Sequence, residues 1–281
     1  MNIAEITAKV DNVIKDFCNN ETAEFGCILG SGLGEVADSL ENRRTLSYAE
    51  IPYLKPSTIK GHAGKICFGK INNKNIVCFQ GRPHWYEGVK AESFVALIAV
   101  VKAFGANSVV ITNAAGGINP NYKVGDVVMI TDHINMQFKN PLIGVTPPPF
   151  IGMDQVYDIS YQQRIKKIAE QNKINLHTGV YCGVQGPSFE TPAEIKAYKS
   201  LGADVVAMSM IPEVIVARYF NFKVLALSVI SNPAAGLCEQ QLSHEVTLSG
   251  VKKGRENLNT ILLDLFKQPA LFSSANFNAV V

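Results

Sequence analysis

Phe25-Gly26-Cys27-Ile28-Leu29-Gly30-Ser31-Gly32-Leu33-Gly34-Glu35 is the run that decides the architecture. An apolar, strand-like segment enters a Gly-rich turn, and a helix start is expected beyond it. A strand, tight turn and helix in that order form the first unit of an α/β fold. Backbone N–H groups at such a turn, with a helix dipole behind them, bind an anion readily. Two other readings stay open: a tight turn that binds nothing, and a dinucleotide-binding turn. For the dinucleotide, Gly30 and Gly32 fit G-x-G-x-x-G and Glu50 lies at a suitable distance for a ribose contact, but Glu35 stands where the third glycine belongs. No Gly-Lys-Ser/Thr is present for a P-loop. A small anion such as phosphate is the better fit.

Outward from this run, short β-branched segments alternate with helical patterns. A first helix is expected over Ile3–Phe17. Strands are expected at Phe25–Leu29, Lys65–Ile71, Ile76–Phe79, Ser108–Thr112, Asp126–Ile130, Thr178–Cys182, Asp204–Ala207 and Lys223–Val229. Helices are expected at Ala91–Phe104, Ile159–Gln171, Pro192–Leu201, Pro212–Phe220 and His244–Phe266. Thr191-Pro192-Ala193-Glu194 marks a helix start, with Thr as N-cap, Pro first and Glu third. Asn140–Asp154, with four prolines and two glycines, reads as a long loop within one domain. The tail Gln268–Val281 carries little amphipathic pattern and no assignable role.

Composition narrows the function classes. The 281 residues are 47% hydrophobic and 18% charged, as in an ordinary globular protein. With a formal charge of +2 and dispersed Lys and Arg, no nucleic-acid partner is expected. No apolar run reaches the ~18 residues of a membrane span, and Met1–Glu5 does not resemble a secretory signal. Six cysteines are spread along the chain without Cys-x-x-Cys, and five histidines lack His-x-x-x-His spacing. No metal site is expected, and a reducing cytoplasm is the economical location.

Four further segments carry chemistry. Gly81-Arg82-Pro83-His84-Trp85-Tyr86-Glu87-Gly88 follows a buried strand; if extended spacing persists, Arg82, His84 and Tyr86 share a side. That trio suits an anion beside a sugar, or else a solvated turn. Val109-Val110-Ile111-Thr112-Asn113-Ala114-Ala115-Gly116-Gly117 ends in small residues that let a ligand approach the backbone. In open α/β folds ligands sit outside the carboxyl ends of strands, so these segments could share one crevice. Gly186-Pro187-Ser188-Phe189-Glu190-Thr191 offers a ring to stack on a planar base and a carboxylate for N–H donors. The alternative is a hydrophobic staple beside a helix N-terminus. Val229-Ile230-Ser231-Asn232-Pro233-Ala234-Ala235-Gly236 ends in an amide that also suits a plain turn. His244, after the possible N-cap Ser243, could equally face solvent.

Taken in order, these motifs resemble the purine nucleoside phosphorylases of the homotrimeric, 6-oxopurine-preferring type. The matching segments include Ile28–Gly34, Gly61-His62-Ala63-Gly64, Arg82–Gly88, Thr112–Gly117, Asp132-His133-Ile134-Asn135, Gly186–Thr191, Pro212–Arg218 and Ser243-His244-Glu245-Val246. The resemblance spans nearly the whole chain. It implies one α/β domain over 1–281 with a central mixed β-sheet flanked by helices. It implies phosphorolysis of purine nucleosides, mainly inosine and guanosine, with inorganic phosphate as co-substrate and no metal or organic cofactor.

Residue by residue, the resemblance implies phosphate at Ser31, Arg82, His84, the backbone around Ala114, and Ser209. It implies ribose at Tyr86, Met208 and His244, with His244 on the 5′-hydroxyl. The purine is implied to lie against Phe189, with Glu190 on the N1 edge and Asn232 near N7 and the 6-oxo group. His84, Glu190 and Asn232 are then the catalytic residues. The resemblance further implies an aromatic contributed to the ribose site by a neighbouring subunit, and Phe138 is the candidate to stand in for it. The chain departs from the family pattern at Ala207, where glycine is frequent, and at Met210, where threonine is common. An extra methyl at 207 could crowd the base, which leaves a xanthosine- or methylthioadenosine-preferring enzyme as the near alternative. A hydrolase would need a general base for water, and a non-catalytic binding protein would need lost catalytic positions.

Overall fold

The computed structural model describes residues 1–59, 61–239 and 242–271. Its centre is a mixed sheet whose strands carry a two-residue alternation. In β1 (Phe25–Leu29), Ile28 joins one core cluster while Phe25, Cys27 and Leu29 join another. In β5 (Ser108–Gly117), Val109 and Ile111 face the first cluster and Val110 the second. Buried on both faces, such strands need helices on both sides. On the first face lie α1 (Ile3–Cys18), α2 (Ala91–Ala103) and α5 (Ile211–Tyr219). On the second lie α3 (Ile159–Gln171) and α6 (His244–Phe266). Ser93 through Val101 of α2 are all buried, as befits a helix that is apolar all round.

The remaining elements are β2 (Glu41–Ser47), β3 (Lys65–Ile71), β4 (Lys74–Gln80), β6 (Val127–Met136), β7 (Leu176–Val184), β8 (Val205–Ala207), β9 (Lys223–Pro233) and the helix α4 (Pro192–Ser200). The strand order is β2-β3-β4-β1-β5-β8-β7-β6-β9. A parallel β5–β9 pairing, from Ser108 opposite Lys223 to Gly117 opposite Pro233, closes the last five strands into a ring. The expected mixed sheet flanked by helices is present, but the half that carries the ligand-facing strand ends is closed rather than open.

Three expectations need correction. The Gly-rich turn after β1 leads not into an α-helix but into a six-residue 3-10 turn, Gly34–Ser39. The chain there has only a few residues before it must enter β2, and Leu33 supplies no side-chain cap. β2 itself was not expected: Glu41-Asn42-Arg43-Arg44-Thr45-Leu46-Ser47 is a mostly exposed edge strand with a register shift, and its charge hides the strand signal. Finally, β5, β6 and β9 run several residues past their apolar runs, through Gly117, Met136 and Pro233. Those extensions are mostly polar or small, broken only by Ile134, Met136 and Ile230. Residues 268–271 are tied down, with Leu271 N–H donating to the Tyr161 hydroxyl and Ala270 N–H to Glu24. The rest of the expected tail, 272–281, lies outside the described residues.

One contact sets the position of α6. At Gly250 an added Cβ would stand 1.7 Å from the carbonyl oxygen of Ser231 in β9, so helix backbone rests directly on strand backbone. With Ser243 as N-cap, this close approach carries His244 to the strand ends. Gly250→Ala is expected to lower stability by about 3 kcal/mol, from overpacking against a backbone that cannot yield. Urea unfolding would measure it.

Candidate active site

A solvent-open cleft of about 740 Å³ lies at the ends of β1, β5, β8 and β9. Every residue expected at the site lines it: Ser31, Arg82, His84, Tyr86, Ala114, Phe189, Glu190, Met208, Ser209, Asn232 and His244. They come from seven stretches of chain that only the fold brings together.

Arg82 forms the floor. Its side chain is 1% exposed, and Nη2 donates to the carbonyls of Ile28 (3.0 Å) in β1 and Thr112 in β5. Nε stands 3.7 Å from Oε1 of Glu213, while Nε and Nη1 have no hydrogen-bond partner among the described residues. The loop is not extended throughout, as its spacing suggested: after His84 it tightens into a 3-10 turn, Trp85–Glu87. Arg82 therefore turns down into the core, and His84 and Tyr86 stack on one another at 4.7 Å. Gly81 makes this possible. Its φ of +111° is closed to most side chains, and a Cβ there would lie 2.6 Å from Cβ of His62.

His62 completes the stack, its ring 5.1 Å from that of His84. Its Nδ1 accepts from Arg82 N–H (3.3 Å), so Nε2 carries the proton and donates to Ser31 Oγ (2.8 Å). The Ser31 hydroxyl proton is thereby left for an acceptor in the cleft. His84 is held the other way round, its Nδ1–H donating to Glu87 Oε1 at 2.8 Å. Glu87 also accepts from Thr58 N–H, Thr58 Oγ1 and Ser57 Oγ, which ties Ser57 and Thr58 to the Arg82 loop. Burial works against the Glu87 carboxylate, yet these hydrogen bonds hold its pKa at about 2. Burial pushes His84 below the usual imidazole value against the pull of Glu87. Burial, with the charges of His84 and Arg82, takes His62 down to about 3.

Across the cleft, Tyr181 fixes Ser209. Its hydroxyl donates to the Ser209 carbonyl (3.0 Å) and accepts from Ser209 N–H (3.2 Å). The next residue, Met210, sits at φ +68° and ψ −51°, with Ile211 N–H donating back to Ser209 (2.8 Å). This is the strained form of γ-turn. At the far end, Phe189 is half exposed, and burial raises the pKa of Glu190. Asn232 has its orientation set by neighbours: Ser231 Oγ donates to Oδ1 (2.7 Å) and Nδ2 donates to the Pro233 carbonyl (2.9 Å). One N–H of the amide remains for a ligand. Among the described residues, no cluster of three His, Cys, Asp or Glu is placed to hold a metal ion.

Comparison with known proteins gives the family. The phosphorylase superfamily model matches residues 24–267. The chain belongs to the phosphorylase superfamily. Purine nucleoside phosphorylase 1 of Bacillus subtilis (strain 168) is 43% identical over 237 residues, 83% of this chain and 88% of that protein. Among solved structures, isoform 2 of the Schistosoma mansoni purine nucleoside phosphorylase, in complex with cytosine and ribose-1-phosphate, has a TM-score of 0.88 at 35% identity. That match covers 94% of this chain and 96% of the other. The S. mansoni enzyme in complex with inosine has a TM-score of 0.87 at 31% identity, over 94% and 96% of the two chains.

Against this family background, the sequence reading missed the residues that hold others in place. His62 stood inside a quoted motif without a role, and its flanking glycines were the only signal. Asn113 also lines the cleft, with Oδ1 accepting from Ser228 (2.6 Å). Glu87, Tyr181 and Ser231 act through hydrogen bonds that no local pattern announces.

His62 makes a pH prediction. Its folded value lies below the ordinary 6.5, so the unfolded chain binds a proton first as pH falls. Its stabilisation is whole above pH 6.5 and is lost progressively toward pH 3. The slope from this one group is at most about 1.4 kcal/mol per pH unit. Urea-unfolding free energies at pH 7 and pH 5 should differ less in His62→Gln than in wild type. Equal differences would show that the ring is not buried neutral.

Proposed function

We propose that this chain catalyses the reversible phosphorolysis of purine ribo- and 2′-deoxyribonucleosides, mainly inosine and guanosine. The products are the free base and (deoxy)ribose 1-phosphate. The observation that carries the reading is the convergence, in one cleft, of a buried guanidinium with hydroxyl donors and of an amide with a carboxylate beside an aromatic ring. The first set suits a phosphate dianion and the second a 6-oxopurine edge.

In the proposed reaction a phosphate oxygen bonds to C1′ as the C1′–N9 bond breaks and its electron pair leaves with the purine. Arg82, Ser31, Ser209 and the backbone at Ala114 hold the phosphate beneath the ribose. His84, with its Nδ1 proton committed to Glu87, offers Nε2 to the P–OH of hydrogen phosphate. Tyr86, Met208 and His244 receive the sugar, with His244 on the 5′-hydroxyl. Negative charge grows on the departing base, and the remaining Asn232 N–H stabilises it at N7. Phe189 stacks on the base and Glu190 accepts from N1–H. Fixing both substrates in one site removes much of the entropic cost of their meeting. No cofactor enters this chemistry. Ala207 lines the base end and is the residue that sets the ranking of guanosine, inosine and xanthosine.

The test is hypoxanthine release from inosine with and without inorganic phosphate. Release should require phosphate, and Asn232→Ala should lower kcat about 100-fold, the loss expected for one preorganised donor. Glu190→Ala should reduce inosine turnover comparably. Phosphate-independent release would instead mean a hydrolase.

We also propose a homotrimer. Phe138 is 82% exposed, Ile143 74% and Phe150 97%, a concentration of bare apolar side chains in one loop region. Both aromatics are candidates for a neighbouring subunit's ribose site, and Phe150 is more exposed than the expected Phe138. Sedimentation should give three copies of the 30.5 kDa chain, and Phe150→Ala should shift the mass downward. A monomer of unaltered activity would sink the idea. A reducing, cytoplasmic setting suits the five buried, unbridged thiols Cys18, Cys27, Cys67, Cys78 and Cys182. No helix among the described residues is long and apolar enough to cross a membrane.

A further inference from the structure

Glu213, in the first turn of α5, is a carboxylate at 0% exposure with no place in the chemistry above. Among the described residues, neither of its oxygens has a hydrogen-bond partner on another residue. Its ion-pair partner is Arg82, at 3.7 Å from Nε to Oε1. Arg82 lines the cleft and Glu213 does not, so of the pair only the arginine reaches the cleft wall. Of the other titratable groups, His62, His84 and Tyr86 lie near Arg82, whereas Tyr48 and Tyr181 lie near both members of the pair and are engaged elsewhere: the Tyr48 hydroxyl donates to the Gly81 carbonyl (2.7 Å) and Tyr181 holds Ser209.

The spacing says what Glu213 does. A carboxylate that fixes the orientation of an arginine makes short, forked hydrogen bonds at about 2.7–2.9 Å. At 3.7 Å and with no such bond, Glu213 acts on Arg82 through its charge; burial raises the carboxyl pKa, and the guanidinium is the chief group that opposes this and favours the carboxylate. Orientation is supplied by the carbonyls of Ile28 and Thr112 instead. The helix N-terminus at α5 favours a negative group at this position. A buried cation left without a counter-charge is strongly destabilising, so whatever neutralises Arg82 contributes to stability. A phosphate at the cleft face would be a second anion on the same guanidinium.

We propose that Glu213 is an internal counter-ion that competes with phosphate for Arg82 and so sets a ceiling on phosphate affinity. The inference rests on the assignment of phosphate to Arg82 made above. It reverses the sign that a simple supporting residue would give. Removing the carboxylate should weaken the protein but strengthen its hold on phosphate, since phosphate then becomes the principal neutralising charge.

The experiment compares wild type, Glu213→Gln, Glu213→Asp and Arg82→Gln. Phosphate is varied at saturating inosine, inosine at saturating phosphate, and Tm is measured with and without inorganic phosphate. In Glu213→Gln the KM for phosphate should fall at least about 3-fold, as loss of a nearby like charge requires. The KM for inosine should stay within about 2-fold, since the base end is untouched. Tm without phosphate should drop, and the rise on adding phosphate should exceed that of wild type. Glu213→Asp, with its charge drawn back, should move the same way by less, and it decides the matter if Glu213→Gln does not fold. A KM for phosphate that rises or stays constant in the Glu213 variants overturns the proposal. If Arg82→Gln raises that KM while the Glu213 variants change nothing, the counter-ion fails and the phosphate site survives. If Arg82→Gln leaves it constant, the phosphate assignment fails, and the counter-ion with it.

Discussion

A guanidinium that is almost wholly removed from water has to be surrounded before anything else in the chain can be settled. Arg82 is fixed by the carbonyls of Ile28 and Thr112 because β1 and β5 lie side by side, with Cys27 opposite Val110 and Ile28 opposite Ile111. It reaches them because Gly81 adopts a backbone conformation that clears His62. Its charge is answered from α5, which packs against α2 and β9. Pairing of parallel strands, a glycine in a loop and the placement of a helix thus all answer to one cation. Charge buried this deeply is tolerated only when its surroundings are complete.

The same economy runs through the groups around it. His62 and His84 are both kept neutral by burial, and each has its tautomer dictated by a partner: a backbone N–H for one, Glu87 for the other. Ser209 is clamped on both sides by Tyr181, and Asn232 has its acceptor oxygen occupied by Ser231. Donors and acceptors are committed in advance, so little reorganisation is left for the moment of reaction.

How much of this could be read from the sequence follows from the range of the forces involved. Strands such as Phe25–Leu29 and helices such as Ile159–Gln171 were legible to the residue, because apolar periodicity is local. The extensions of β5, β6 and β9 were not, since Asn113, Asp132 and Asn232 look like turn residues until a neighbouring strand pairs with them. β2 escaped because an edge strand suppresses the apolar signal that would reveal it. Within the site, residues beside glycine-rich strand ends were legible through their motifs. Glu87, Tyr181, Ser231 and Glu213 act on partners that only the fold brings to them. Their chemistry is ordinary and their placement is tertiary.

The site is uneven in burial. Arg82, His84, Asn113 and Asn232 are sealed among strand ends, whereas Phe189 stands half exposed on a rim just before the capped start of α4. Substitution in the sealed part disturbs the core of the whole molecule; substitution on the rim disturbs almost nothing but the ligand. On the proposed assignment, selection is free to exchange one leaving base for another over an anion site it can scarcely alter. Divergence within such a lineage should be written in the stretch 185–190 and at Ala207, with the floor beneath them left as it was inherited.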